Sequence, residues 1–221
     1  MKLRIEALTK FACGLLLVGL LIFLPAGTLC YASGWLLMAV LFVPMLIAGF
    51  IMLAKAPDLL KKRLDAKEKQ ATQKGVLAFS GLMFVAGFVV AGLDFRFGWS
   101  EMPAWVVIVA SALFLVAYAL YAEVMRENAY LSRTVKVEQG QTVVDTGLYG
   151  IVRHPMYAVT ILLFLMIPLI LGSWYALIVF AFYPAIIITR LKDEEALLTR
   201  ELPGYAEYKQ KVKYRIIPFV W

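Results

Sequence analysis

One histidine, His154, and two cysteines, Cys13 and Cys30, are all that 221 residues offer a transition metal. A zinc site draws three or four clustered His, Cys or carboxylate ligands, and no such cluster of His and Cys exists here. The two cysteines sit at the two ends of one apolar run, so neither a C-x-x-C motif nor a zinc pair is present. Charge is scarce too. Asp, Glu, Lys and Arg make up 17% of the chain, against about a quarter in soluble domains. Too few polar residues remain for soluble domains on both faces of a bilayer. What fills the chain instead is apolar side chain, at 62% hydrophobic residues and a mean hydropathy of +0.81. Such a composition belongs to an all-α integral membrane protein, because helices satisfy their own backbone in lipid. Neither a solenoid-type repeat nor a low-complexity segment interrupts it.

Six apolar runs stand out, at 11–29, 34–54, 76–95, 103–125, 155–171 and 174–189. The first four are 19 to 23 residues long, as a helix crossing the bilayer core requires. The first follows Lys2, Arg4 and Lys10 in the manner of a signal peptide, but more spans follow, so it reads as retained. The last two are 17 and 16 residues and are separated only by Gly172 and Ser173. They predict a tight helical hairpin that crosses barely, or by local thinning. Kinks are expected at Pro44, Pro168 and Pro184. All but one of the 22 basic residues fall in four segments, the exception being Arg96. These segments are the N-terminal tail, 55–74, 126–153 and the stretch from Arg190 onward. Six spans put all four on one face, which the positive-inside rule makes cytoplasmic. Both termini then share that face. The net charge of +7 follows from this distribution and not from nucleic-acid binding. The 55–74 loop fits either an amphipathic surface helix or a solvated loop. Trp35, Trp99, Trp105 and Trp174 read as an interfacial belt at the opposite ends of the spans.

Residues 141–157, QTVVDTGLYGIVRHPMY, are polar between apolar neighbours and hold the lone histidine. Pro155 biases His154 towards extended geometry and suits the first position of the next helix. The backbone before it would then present free N–H groups that favour an anion. On spacing alone the simpler reading is a topogenic Arg153 and an interfacial His154. Downstream, Arg190 and Glu194 lie four apart on one helical face, while Glu195 points about 100° away. Taken alone, Arg190 to Glu195 read as a surface ion pair and solvated acids. After a break at Leu202-Pro203-Gly204, Tyr205, Tyr208 and Val212 form one stripe among basic residues, as an interfacial helix would.

Taken together these pieces are T-G-x-Y at Thr146–Tyr149, R-H-P-x-Y at Arg153–Tyr157, R-x-x-x-E-E-x-x-L at Arg190–Leu198 and P-G-Y-x-x-Y-x-x-x-V at Pro203–Val212. In this order, with an apolar hairpin between the second and third, they resemble the isoprenylcysteine carboxyl methyltransferase family of integral membrane enzymes. Wider relatives of that family include phospholipid N-methyltransferases. The apolar runs make residues 1–127 a four-helix transmembrane region, and the resemblance marks 128–221 as the methyltransferase-like region with hairpin 155–189. It implies S-adenosylmethionine as methyl donor, held in a cytoplasmic pocket that the C-terminal segment closes. On that basis His154, Pro155, Met156 and Tyr157 contact the cofactor, partly through backbone. Gly147, Tyr149 and the extended stretch with Gln141, Val143 and Val144 line the same pocket, and Glu194 binds the cofactor's polar groups. Arg190 is the catalytic candidate facing the acceptor, with Arg153 also on the acceptor side. Relatives often carry glycine two residues after the motif tyrosine; this chain has Val159.

Methyl transfer from a sulfonium is an in-line displacement that needs positioning and desolvation more than acid–base groups. A carboxylate acceptor is ionised at neutral pH and needs no base, which suits a chain with one histidine. Carboxyl O-methylation of a lipidic or prenylated acceptor among membrane lipids is therefore the first expectation. Lipid-amine N-methylation is the alternative and would need Glu194, Glu195 or a tyrosine as base. A sterol-type NADPH reductase and a non-catalytic membrane protein are readings of other classes. The oligomeric state is left open.

Overall fold

The computed structural model describes residues 2–64, 71–131, 137 and 139–221. Among these residues the chain is helical without strands. Its elements are α1 (Lys2–Ala26), α2 (Ala32–Lys55), α3 (Pro57–Leu64), α4 (Ala71–Phe97), α5 (Ala104–Glu127), α6 (Pro155–Ile170), α7 (Trp174–Phe180), α8 (Tyr183–Glu201) and α9 (Tyr205–Lys211). A short 3₁₀ turn, Gly147–Gly150, lies between α5 and α6. Large apolar side chains such as Leu24, Trp105 and Ile108 point outward, about two-thirds exposed. That is the pattern of a bundle whose solvent is lipid.

Five stretches are long and apolar enough to cross a membrane: α1, α2, α4, α5 and the α7–α8 pair, which runs 28 residues from Trp174 to Glu201. The α6 helix, at 16 residues, is shorter than the roughly 20 that a straight crossing takes. The last apolar run, 174–189, is the lipid-facing part of a longer helical stretch that carries the expected Arg190–Glu194 face. Its helix continues to Glu201 because neither Pro nor Gly intervenes before Pro203. Hydropathy marked where lipid contact fades, not where the helix stops. The expected break at Pro184 is present. The α7 helix ends at Phe180 and α8 begins at Tyr183, since proline at position 184 cannot donate to the carbonyl of residue 180. Pro44 and Pro168 remain inside α2 and α6.

Tight approaches set the packing. A Cβ at Gly92 of α4 would stand 2.6 Å from the Ile22 carbonyl oxygen and 2.9 Å from Pro25, so α1 and α4 meet backbone to backbone. Phe84, Phe88, Phe164 and Phe180 fill the space between α4, α6 and α7 with edge-on rings. At one end of the bundle Asp94, fully buried, accepts from Ser100 N (2.7 Å), Ser100 Oγ (2.6 Å) and Ser173 Oγ. It thereby ties the end of α4 to the α6–α7 turn. Trp99 and Trp174 belong to this end, where Trp174 N donates to Ser100 Oγ. At the other end Lys10 Nζ reaches the Leu64 carbonyl (2.8 Å), and Arg63 of α3 lies over the Tyr121 ring and beside Met156. Of the 55–74 loop, residues 57–64 form α3 with Leu60 buried, and α4 starts at Ala71. Residues 65–70, with Lys67 and Lys69, lie outside the described residues, as do Arg133 and Lys136.

Candidate functional site

An α-helix turns about 100° per residue, so three consecutive acids on α8 face three directions. Asp193 accepts from Gln73 Nε2 of α4 at 3.0 Å. Glu194 accepts from the Tyr157 hydroxyl. Glu195 turns towards the C-terminal segment and is 5% exposed. Its Oε1 takes Arg153 Nε at 2.7 Å and lies 3.4 Å from His154 Nε2, while Oε2 takes Arg215 Nε at 2.8 Å. Glu195 was expected among solvated acids, and that expectation is overturned. Two guanidinium groups and the only histidine surround it, which is how a carboxylate is retained in a buried position.

Pro155 opens α6 as predicted, and His154 is non-helical at φ −126°, ψ 62°, short of the extended geometry expected before proline. The backbone N–H groups before the helix, however, are not free for an anion. Arg153 N donates to the Tyr214 carbonyl (2.9 Å) and His154 N to that of Arg215 (2.8 Å). The Arg153 guanidinium adds bonds to the carbonyls of Val212 (2.7 Å) and Lys213 (2.8 Å). Residues 212–215 thus hold R-H-P from behind. Arg153 is a clamp and not a topogenic surface charge, being 7% exposed.

In front lies an open cleft of about 790 Å³, most of it the solvent-filled space at its mouth. Gln141, Val143, Val144 and Tyr149 line one side. Arg153, His154, Met156 and Tyr157 line a second, and Arg190 and Glu194 a third. Gly147 and Pro155 do not line it. Gly147, at φ +51°, packs against the Glu127 carboxylate, where a Cβ would collide. Val159 is buried in the apolar core. The centre of the cleft is a relay in which Arg190 Nε donates to Tyr157 Oη (3.1 Å) and Tyr157 donates to Glu194. The His154 ring stacks over Tyr157 at 5.7 Å.

The motif reading missed part of the lining. Leu198 and Leu202 continue the row that Arg190 and Glu194 begin, four residues apart, and both line the cleft; that spacing was a readable signal. Tyr205 and Tyr208, read as an interfacial stripe, close the cleft as buried side chains. Tyr208 donates to the Tyr149 carbonyl (2.7 Å), and Tyr205 Oη lies 3.5 Å from His154 Nε2. Asn128, which donates to Tyr149 Oη (3.0 Å), Tyr130, Leu131 and Thr142 also line it, with no local signal to announce them. Burial holds the phenols of Tyr149, Tyr205 and Tyr208 above their ordinary value of 10, and for Tyr205 the charges of Glu195 and Glu194 add to it.

A helical membrane protein with one polar cleft at the end of its bundle, built from two distant motifs, defines the class. Residues 100–200 match the model of the isoprenylcysteine carboxyl methyltransferase (ICMT) family, so the chain is related to that family and the resemblance read from its motifs is borne out. The match supports a membrane methyltransferase. It takes in α5 and ends inside α8, before the Pro203–Val212 motif. Delta(14)-sterol reductase of Methylotuvimicrobium alcaliphilum is 24% identical over 136 residues, which is 55% of this chain but 32% of the reductase. The uncharacterized protein YpbQ of Bacillus subtilis is 24% identical over 165 residues, 74% of this chain and 95% of YpbQ.

Proposed function

We propose that the chain is an S-adenosylmethionine-dependent methyltransferase acting on a lipidic acceptor, with carboxyl O-methylation as its reaction. The observation that carries this reading is the meeting of R-H-P-x-Y and R-x-x-x-E-E around one cleft, where Tyr157 bridges Arg190 and Glu194. The lining suits such a donor. The Glu194 carboxylate matches an ammonium or ribose hydroxyls, and Val143, Val144 and Leu198 offer apolar surface to the rest. Bound there, the donor would supply an electrophilic methyl group. The chain's part is to hold it: His154, Met156 and Tyr157 on one wall, Gln141 and Tyr149 on another, and Tyr205 and Tyr208 excluding water. Arg190, 8% exposed, orients an acceptor carboxylate through its planar fork. Six crossings, with both termini and the cleft on the cytoplasmic face, complete the proposal. The 128–221 region carries the chemistry on the support of 1–127.

The sterol reductase relative favours a second reading, binding of NADPH. A dinucleotide with several phosphates calls for several uncommitted cations. The described lining has Arg153, which is committed to Glu195 and two carbonyls, and Arg190. The methyl donor is therefore the better fit. Calorimetry in detergent tests both. S-adenosylhomocysteine should bind and NADPH should not; the reverse result moves the chain to the reductase class. Glu194→Ala should weaken S-adenosylhomocysteine binding about tenfold or more, as loss of a charged hydrogen bond does. Arg190→Ala should leave that binding within a few-fold and depress acceptor turnover.

A further inference from the structure

On the other side of α8 from the cleft is a shallow open depression lined by Lys192, Thr199, Arg200, Lys209 and Arg215, with Glu195 at its floor. Positions 192, 196 and 199 lie well round the helix from the 190–194–198 row, as the 100° step requires. We propose that this depression seats the phosphate of an anionic lipid headgroup. Three observations converge on it.

The first is charge. Four cations line the depression; Arg200 pairs with Glu201 at 2.6 Å, and Arg215 shares Glu195 with Arg153. Lys192 and Lys209 have no carboxylate partner among the described residues; Lys209 Nζ reaches only the Thr199 hydroxyl, at 3.4 Å. The second is the apolar surface beside the cations. Ile217, Phe219 and Val220 are 52%, 87% and 74% exposed. They are held outward by a closed turn in which the N–H groups of Arg215, Ile216 and Ile217 all donate to the Trp221 carbonyl. Phe219 takes a positive φ of 64°, uncommon for an aromatic residue. The third is position. The depression lies at the end of α8, where the α7–α8 span leaves its apolar part. Cations next to an outward apolar knuckle at the end of a span match a headgroup with acyl chains beside it.

The seat would brace the cleft. Arg215 joins the depression to Glu195, and its own carbonyl holds the His154 N–H. An occupied seat keeps residues 212–217 docked behind R-H-P. The test is hydrogen exchange of the full chain in phosphatidylcholine nanodiscs with and without phosphatidylglycerol. Phosphatidylglycerol should slow exchange of the Arg153 and His154 amides and of residues 212–217 about tenfold. The double variant Lys192→Gln with Lys209→Gln should lose that slowing. Lys55→Gln with Lys61→Gln, which removes equal charge near the same end of the bundle, should keep it. Equal behaviour of the two double variants would overturn the proposal. So would the same slowing by inorganic phosphate in pure phosphatidylcholine, which would assign the seat to a free anion. No readout depends on the methyl donor, so this test stands or fails apart from the proposed reaction.

Discussion

At the scale of single residues, Glu194 and Glu195 divide two tasks that adjacent carboxylates of one helix can separate only because they face different neighbours. Glu195 neutralises Arg153 and Arg215 in a buried place, and its removal strands a buried guanidinium. Glu195→Ala should therefore cost about 3–5 kcal/mol of stability, read as a lowered melting temperature in detergent without ligand. Glu194 touches the cleft and Tyr157, so Glu194→Ala should lower the unliganded melt less than Glu195→Ala, by the about 1–3 kcal/mol of one unsatisfied hydroxyl, while weakening S-adenosylhomocysteine binding. If the two variants melt alike, this division is wrong. The E-E pair was visible in the sequence, and so was the Arg190–Glu194 row. The family resemblance singled out Glu194 for the cleft; that Glu195 is interior was not visible, because its partners come from 41, 42 and 20 residues away.

At the scale of elements, glycine and proline decide where helices meet and end. The approach of α4 to α1 at Gly92 is backbone to backbone, so an added methyl has no side chain to displace. Gly92→Ala should cost about 1–3 kcal/mol, measurable as a loss of melting temperature. The same change at Gly81, where a Cβ meets nothing within 4 Å, should be neutral or slightly stabilising. The start of α6 was legible because Pro155 dictates local geometry. Hydropathy falls at Arg190 while the helix continues to Glu201, as the four-residue spacing of Arg190 and Glu194 implied. The C-terminal stripe Tyr205, Tyr208 and Val212 was legible as one face. That it packs on Leu198 and Leu202, and not on lipid, depends on tertiary placement.

At the scale of the molecule, the cleft is closed by a segment that comes last in the chain and is fastened by hydrogen bonds and buried phenols. Tyr149, Tyr205 and Tyr208 are held above 10, chiefly by burial. The unfolded chain gives up these protons near pH 10, whereas the folded one keeps them. The stability they contribute is thus complete below about pH 10 and lost as pH rises further. An alkaline absorbance titration at the tyrosinate band should show late-ionising phenols, and the melting temperature should fall as pH rises above about 10. Replacing all three by Phe should reduce the number of late-ionising phenols by three without abolishing them, since Tyr157 is buried as well; an unchanged titration would show that these three ionise normally.

Composition by itself determined that this protein lives in lipid. The near-absence of His and Cys argued against a zinc centre, and the apolar runs already marked the long helices. The motifs were enough to point to the family, since Pro155 and the four-residue spacing of Arg190 and Glu194 act locally. Only the tertiary structure decided that Arg153 and the backbone N–H groups around it serve the C-terminal segment and not an anion, and that Glu195 is interior. It also placed Asn128, Tyr205 and Tyr208 on the cleft. The reason is physical. A helix fixes the direction of each side chain, but what stands in that direction is set by segments far along the chain, and no local pattern records them.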